Sequence, residues 1–180
     1  MTTTFLDLCK ARFSCRSYRP DPVPRETIEA VLEAARLAPS ACNRQPWRFA
    51  VASAPEKRRA LFERGVLPGL GMSWILQAPV LIALGMEKSL ITHVAAPLLS
   101  RVAYPWIDIG IAGEHLALAA ADLGLGTCWI GWIRPRAIRR VVGWPRSVRP
   151  CALFTLGRPA EAQTTRAQRR PLQELVRWIE

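Results

Sequence analysis

The 180-residue sequence has few of the residues from which metal sites and acid–base centres are built. It contains only two histidines, His93 and His115, and five cysteines, none of which are paired at metal-ligand spacing. One Glu114–His115 pair offers no further ligands, so we expect no metal site. An odd number of cysteines without a secretory signal favours free thiols in a reducing, cytoplasmic setting.

The sequence also lacks an uninterrupted hydrophobic run of the length that a membrane span needs. The longest apolar stretch, Ile107 to Leu125, contains Asp108, Glu114, His115 and Asp122. So many charged or titratable residues are typical of a buried helix, and we expect no membrane partner.

Acidic residues are in the minority, with 14 Asp and Glu against 25 Lys and Arg, which gives a formal net charge of +11. The lysines are only Lys10, Lys57 and Lys88, so the basic residues are mostly arginines. These arginines are scattered, and their densest groups lack the interleaved aromatic residues of a nucleic-acid-binding motif. We therefore expect no nucleic-acid partner and assign a few arginines to an anionic ligand such as a phosphate.

Hydrophobic periodicity predicts one mixed α+β domain over residues 1–180, in which helices cover a sheet. The predicted helices are a short one capped by Thr4, one from Pro24 to Pro39, Pro55–Arg64, Ile107–Leu123, Pro135–Val142 and Pro171–Ile179. The predicted strands are Trp47–Ala52, Pro79–Met86, Thr127–Ile133 and Pro150–Leu156. The segment from Lys88 to Tyr104 is ambiguous, and Asp108 is a candidate cap of the long helix.

The first of three polar stretches contains Arg12, Ser14 and Arg16. In an extended segment, residues two apart project to the same side, so two guanidinium groups and a hydroxyl would face one anion. A solvated loop is the ordinary alternative.

The other two polar stretches follow predicted helices. APSACNRQPWRF, residues 38–49, places Ser40, Asn43 and Gln45 before a strand, and an ordinary turn is the alternative. GLGTCWIGW, residues 124–132, has glycines that permit positive φ and close backbone approach. It lacks the strand–GxGxxG–helix order of a dinucleotide site, and a helix end followed by a strand is its alternative.

In this order and spacing, ARFSCRSYRP, APSACNRQPWRF, DIGIAGEHLALAAADLGLGTCWIGW and the ending TLGRPAE…RRPLQELV resemble the nitroreductase family of flavoenzymes. The resemblance spans nearly the whole chain. It implies a nitroreductase-like α+β fold, with a mixed, mainly antiparallel sheet flanked by helices. It also implies an intertwined homodimer that holds FMN in two sites, each built from both chains.

The resemblance assigns a set of positions to FMN binding. Those implied at the phosphate are Arg12, Ser14 and Arg169, with Arg170 as a rival for Arg169. The position implied near the pyrimidine edge is Arg16. Those in the loop that reaches the flavin, in part from the partner chain, are Ser40, Ala41, Asn43 and Gln45. Those along one flavin face, with backbone amides toward N5 and O4, are Cys128, Trp129, Ile130 and Gly131.

The implied activity is electron transfer from NAD(P)H through FMN to a small acceptor such as a nitroaromatic, a quinone or an activated alkene. Because the cofactor carries the chemistry, no catalytic side chain is expected, and Cys42 and Cys128 are interpreted as non-catalytic thiols. A specialised reaction (reductive dehalogenation or flavin breakdown) and a non-catalytic flavin-binding role remain open. The choice between NADH and NADPH also remains open, with the arginine surplus favouring NADPH.

The substrate lid is predicted to come from Leu67–Trp74 and His93–Trp106. Trp74, Tyr104 and Trp106 are candidates to stack on a planar acceptor, and core packing is the alternative for all three.

Overall fold

The protein is described by a computed structural model that covers residues 4–87, 101–161 and 167–179. The helices of this described part are Phe5–Ala11 (α1), Arg25–Arg36 (α2), Pro55–Gly65 (α3), Tyr104–Asp122 (α4), Pro135–Val141 (α5) and Leu172–Leu175 (α6). The strands are Trp47–Ala52 (β1), Val80–Glu87 (β2), Gly126–Ile130 (β3) and Val148–Gly157 (β4). Short 3₁₀ helices cover Ala41–Asn43 and Ser73–Gln77.

The four strands form one sheet in the order β1-β2-β4-β3, and each neighbouring pair is antiparallel. An isolated parallel bridge between Ser14 and Thr127 adds the N-terminal segment outside β3. The predicted mixed, mainly antiparallel sheet is therefore confirmed.

Register places the end of β3 level with the middle of β1, at the opposite edge of the sheet. Trp47 pairs with Met86, Met86 pairs with Arg149, and Ile130 pairs with Leu153 further along β4. Three inter-strand spacings separate the two edges, which amounts to about 14 Å.

Helices cover both faces of the sheet because β2 and β4 are apolar on both faces. On one face, α2 and α4 pack against residues such as Ile82 and Phe154. On the other face, α3 and α5 bury Leu61 and Ile138 against Leu81 and its neighbours. The sheet is thus the middle layer of three.

Gly113 allows α4 to approach the sheet closely. A Cβ at this position would overlap the ring of Trp129 and would lie 3.1 Å from Phe154 Cζ. The same two rings meet edge to face, with centroids 4.6 Å apart. The small residue therefore fixes how α4 lies across β3 and β4.

Two predicted boundaries are wrong near the polar stretches. Helix α4 begins at Tyr104, with Pro105 in its first turn, so Asp108 lies inside the helix and does not cap it. Strand β3 ends at Ile130 because the chain then leaves β4, and the Trp132 carbonyl accepts a hydrogen bond from Leu67 N.

The predicted C-terminal helix Pro171–Ile179 is also wrong in extent. Only Leu172–Leu175 is helical, and Val176 is extended at φ −117° and ψ 129°. Apolar side chains of this segment, including Trp178 and Ile179, are exposed, so no core packing holds a longer helix together. Within the described ranges, no helix is both long enough and apolar enough to cross a membrane.

Candidate functional site

The segment Arg12–Arg16 is extended beside β3 and alternates as predicted. Cys15 N donates to the Thr127 carbonyl at 2.9 Å, and the Cys15 side chain is buried. Phe13 packs against the second core cluster, whereas Ser14 and Arg16 are exposed and Arg12 is half-buried. The alternation of buried and exposed residues follows the prediction from Phe13 to Arg16, while a common side for Arg12, Ser14 and Arg16 stays a prediction.

Arg12 is oriented by an ion pair with α4. Its Nε lies 3.1 Å from Glu114 Oε1, and its side chain is 23% exposed. A guanidinium carries five N–H donors in a planar fork, so one contact through Nε leaves donors for an anion. Glu114 therefore holds Arg12 in place rather than saturating it.

Arg16 lies over an aromatic ring. Its Cζ is 5.9 Å from the centroid of Trp74, which stands in the second 3₁₀ helix and packs against the core. Cation–π contact of this kind restrains a long side chain. Trp74 was a candidate to stack on an acceptor, and the structure gives it a contact with Arg16 and the core.

A buried polar network joins the first and third polar stretches. The Tyr18 hydroxyl donates to the Cys15 carbonyl at 2.7 Å and lies 2.6 Å from Thr155 Oγ1. Because the single Tyr18 proton goes to Cys15, the Thr155 hydroxyl donates to Tyr18. Thr155 Oγ1 in turn accepts from Cys128 N at 3.0 Å. Every proton of the network therefore has an acceptor.

Burial makes the two cysteines next to this network poor nucleophiles. Desolvation raises the pKa of the Cys15 thiol and that of the Cys128 thiol above the usual range. The nearby Arg16 charge opposes the shift at Cys128 but does not reverse it. A thiol with a raised pKa carries little thiolate at neutral pH, which agrees with the non-catalytic interpretation of Cys128.

Gly131 is the residue at which the third stretch opens to solvent. Cys128 N is engaged by Thr155, and the pairing with β4 ends at Ile130. Gly131 is exposed, and a Cβ built on it would meet no atom within 4 Å. Of the four residues predicted along one flavin face, Gly131 thus has a backbone that is not paired with β4, whereas Trp129 and Ile130 are paired with it.

The loop from Ser40 to Gln45 has an unusual backbone. Cys42, Asn43 and Gln45 have φ of 51°, 50° and 49°, the left-handed region that non-glycine residues rarely adopt. Ser40 Oγ accepts from Gln45 N at 2.9 Å, and Gln45 Nε2 donates to Asn43 Oδ1 at 3.0 Å. The polar side chains therefore brace the loop that carries them.

Asp108 anchors this loop to α4. The residue is 4% exposed, and its Oδ1 accepts a hydrogen bond from Ala41 N at 3.0 Å. In the sequence, Asp108 is an acidic residue in an otherwise apolar stretch, a pattern that predicts a helix cap. The anchoring role could not be inferred without the long-range contact.

The loop and the Arg12–Arg16 segment do not meet within one chain. The loop leads into β1 at one edge of the sheet, whereas the segment lies outside β3 at the other edge. They also lie at different ends of the sheet, since Trp47 is level with Arg149 of β4 whereas Ser14 is level with Leu156. The separation across the strands, about 14 Å, is therefore only part of the distance between them.

The remaining predicted positions are exposed or lie outside the described residues. Arg169 is exposed, and its Nη1 donates to the carbonyls of Ala167 and Gln168. Arg170 is exposed beside it. His93 and most of the second predicted lid segment lie outside the described residues.

A family model described as the nitroreductase family matches residues 9–65 and 67–158. The chain belongs to the nitroreductase family. This match includes every predicted site residue except Arg169, and it confirms the family inferred from the sequence.

Three relatives of this nitroreductase-family chain illustrate the range. An NADH dehydrogenase of Thermus thermophilus is 30% identical over 202 residues, covering 93% of this chain and 92% of the relative. An FMN reductase (NAD(P)H) of Bacillus subtilis is 31% identical over 160 residues, covering 82% of this chain and 63% of the relative. A solved structure from Exiguobacterium sibiricum, in complex with FMN, has a TM-score of 0.81 at 21% identity and covers 99% of both chains.

Proposed function

We propose that this chain is an FMN-dependent oxidoreductase that passes electrons from NAD(P)H to a small acceptor, and that it works as a homodimer. One observation carries the proposal. Ser14 is bridged to Thr127 of β3 in an extended segment that carries Arg12 and Arg16, and β3 leads to the open backbone of Gly131.

This donor set fits a flavin mononucleotide. Planar guanidinium forks and a hydroxyl suit a phosphate dianion, and Arg12 and Arg16 are each restrained by a neighbour. Gly131 has no side chain and lies beside open space, which suits the close approach of a flat ring. The names of the relatives agree, since one is an FMN reductase and another was solved with FMN.

On this proposal, a complete flavin site requires residues from two chains. Because the Ser40–Gln45 loop and the Arg12–Arg16 segment lie at opposite edges, the loop of one chain would complete the site of its partner. Apolar side chains stand exposed on α4 and after β3, notably Ile107, Leu123 and Trp132. A second copy of the chain would cover such surfaces.

When bound, FMN supplies the electron-transfer chemistry, so no protein side chain has to act as an acid or a base. The role of Arg12 and Ser14 is to bind the phosphate. Arg16 places a fixed positive charge near the site, which favours the uptake of electrons there. The strained and braced Ser40–Gln45 loop supplies polar groups whose positions are set before the ligand binds.

The double variant Arg12→Ala/Arg16→Ala tests this assignment. We expect it to be purified without flavin and to bind added FMN at least about a hundredfold more weakly, since each lost charge-assisted bond costs about 1.5–3 kcal/mol. The matched control is Lys57→Ala/Arg59→Ala, which removes two exposed charges from α3. Unchanged flavin content in a folded Arg12→Ala/Arg16→Ala variant would rule out this assignment.

A further inference from the structure

Five arginines line one cavity outside the proposed flavin site. The cavity has a volume of about 540 Å³ and is lined by Arg134, Pro135, Arg136, Arg139, Arg146, Arg149 and Pro150. The arginines come from two segments: Arg134, Arg136 and Arg139 from α5 and its N-cap, and Arg146 and Arg149 from the loop before β4 and the start of that strand. A volume of this size accommodates part of a small ligand.

Within the described ranges, these arginines lie together without an acidic ion-pair partner. Arg134 donates to the Glu63 carbonyl at 2.7 Å, and Arg149 lies over the Trp106 ring at 5.1 Å. In the described part of the chain, no carboxylate forms an ion pair with Arg136, Arg139 or Arg146. Like charges held in one concave site repel each other unless an anion joins them, so the arrangement is suited to a phosphorylated ligand.

The walls of the cavity are fixed by packing. Ile138 anchors α5 and is completely buried. The loop after α5 turns at Gly143, whose φ is 74°, and Trp144 N then donates to the Arg139 carbonyl at 3.0 Å. The Trp144 ring fills the space above Gly85, where a Cβ would lie 2.5 Å from it. The arginines therefore project from a preformed frame.

The cavity is connected to the proposed reaction site by a short run of chain. Arg134 is three residues beyond Gly131, and this run is held by hydrogen bonds from Leu67 N to Trp132 O and from Arg134 N to Gly65 O. The run is not fully extended, because Ile133 N donates to the Gly131 carbonyl at 2.9 Å, so Gly131 and Arg134 lie within about 10 Å of each other along the chain. A ligand that reaches from Gly131 to the arginines therefore carries its negative charge away from its reacting end.

We propose that this cavity binds the 2′-phosphate of NADPH and makes the enzyme selective for NADPH over NADH. The inference rests on the proposed function, since it identifies which reduced nicotinamide serves as the donor. Guanidinium forks recognise a terminal phosphate through paired charge-assisted hydrogen bonds. None of the described residues that line the cavity is aromatic, which suits a phosphate better than the stacked bases of a nucleic acid.

Binding of two adenine nucleotides of similar charge tests the assignment directly. We would titrate the FMN-loaded protein with 2′,5′-ADP and with 5′-ADP by calorimetry. We expect 2′,5′-ADP to bind at least about tenfold more tightly and to weaken as salt is raised. Equal affinities for the two nucleotides would overturn the assignment. Binding of a short oligonucleotide without binding of 2′,5′-ADP would also overturn it.

The variant for this test is Arg136→Gln/Arg139→Gln, with Lys57→Gln/Arg59→Gln as the charge-matched control. In the cavity variant we expect the preference for 2′,5′-ADP to disappear and KM for NADPH to rise at least about tenfold, with kcat and KM for NADH unchanged. An unchanged KM for NADPH would refute the proposal. Failure of the proposed function would be distinguishable from this result, because the bound FMN would then be reduced by neither NADPH nor NADH.

Discussion

Replacing Asp108 with alanine tests whether the Ser40–Gln45 loop is held ready for its ligand. The substitution removes the carboxylate that accepts from Ala41 N at 3.0 Å and leaves that N–H without its acceptor. Asp108 is buried and lies on α4, so it is remote in sequence from the loop. The loop itself retains its internal hydrogen bonds.

The size of the effect follows from two quantities. A hydrogen bond to a buried carboxylate contributes about 1.5–3 kcal/mol. Each non-glycine residue in the left-handed region costs about 1–3 kcal/mol, and the loop contains three of them, Cys42, Asn43 and Gln45. The loop conformation is therefore sensitive to the loss of one anchor. If ligand binding has to restore it, FMN affinity should fall by about tenfold to a hundredfold.

The assay is quenching of FMN fluorescence by apoprotein, with the thermal midpoint of the apoprotein recorded in parallel. The matched control is Asp122→Ala, which removes an exposed carboxylate from the end of the same helix. We expect the control to bind FMN normally. A folded Asp108→Ala protein that binds FMN as tightly as the wild type would show that the loop is no part of the site.

Three further predictions concern packing and titration. Gly113→Ala should lower the free energy of unfolding by about 2 kcal/mol or more, because the new methyl group overlaps Trp129. Gly110→Ala in the same helix places its methyl group in open space and should raise the free energy of unfolding by up to about 1 kcal/mol. Urea titration of both variants compares the two effects. Thr155→Val should destabilise by about 1–3 kcal/mol, because its buried donor and acceptor partners become unsatisfied, and a denaturation midpoint equal to that of the wild type would contradict this. Burial raises the pKa of Cys151 to about 11, so this thiol ionises in the unfolded chain at a lower pH than in the folded protein. The free energy of unfolding therefore falls as the pH rises above about 9. Between pH 8 and 10, the free energy of unfolding of Cys151→Ala should fall by about 1 kcal/mol less than that of the wild type.

The fold was largely predictable because its elements have strong local signals. Trp47–Ala52 is a strand as predicted, since its apolar residues follow a proline and pair across β2. The C-terminal helix failed because amphipathic spacing stabilises a helix only where a core receives the apolar face. Trp178 and Ile179 have no such surface within the described part of the chain.

The site was predictable only in part, because its organisation depends on contacts between distant residues. The alternation of buried and exposed residues from Phe13 to Arg16 follows from local geometry, and the structure shows it. The Asp108 anchor depends on a contact 67 residues away along the chain, and sequence spacing carries no signal for it. The flavin contacts of the individual residues stay predictions until the complex is examined.

The five-arginine cavity was likewise predictable only in part. Arg134, Arg136 and Arg139 are close together in the sequence, but their spacing alone does not predict a cavity. Their convergence with Arg146 and Arg149 depends on the turn at Gly143 and on the packing of Trp144. Only the folded chain shows that these charges surround one space.

The central claim is that this chain binds a flavin that a nicotinamide reduces. The most direct measurement is the visible absorbance of the purified protein, before and after NADPH or NADH is added without oxygen. The account predicts a flavin spectrum that bleaches, faster with NADPH than with NADH. A spectrum that persists with both nucleotides would indicate a non-catalytic flavin-binding protein, and no flavin signal even after FMN is added would contradict the account altogether.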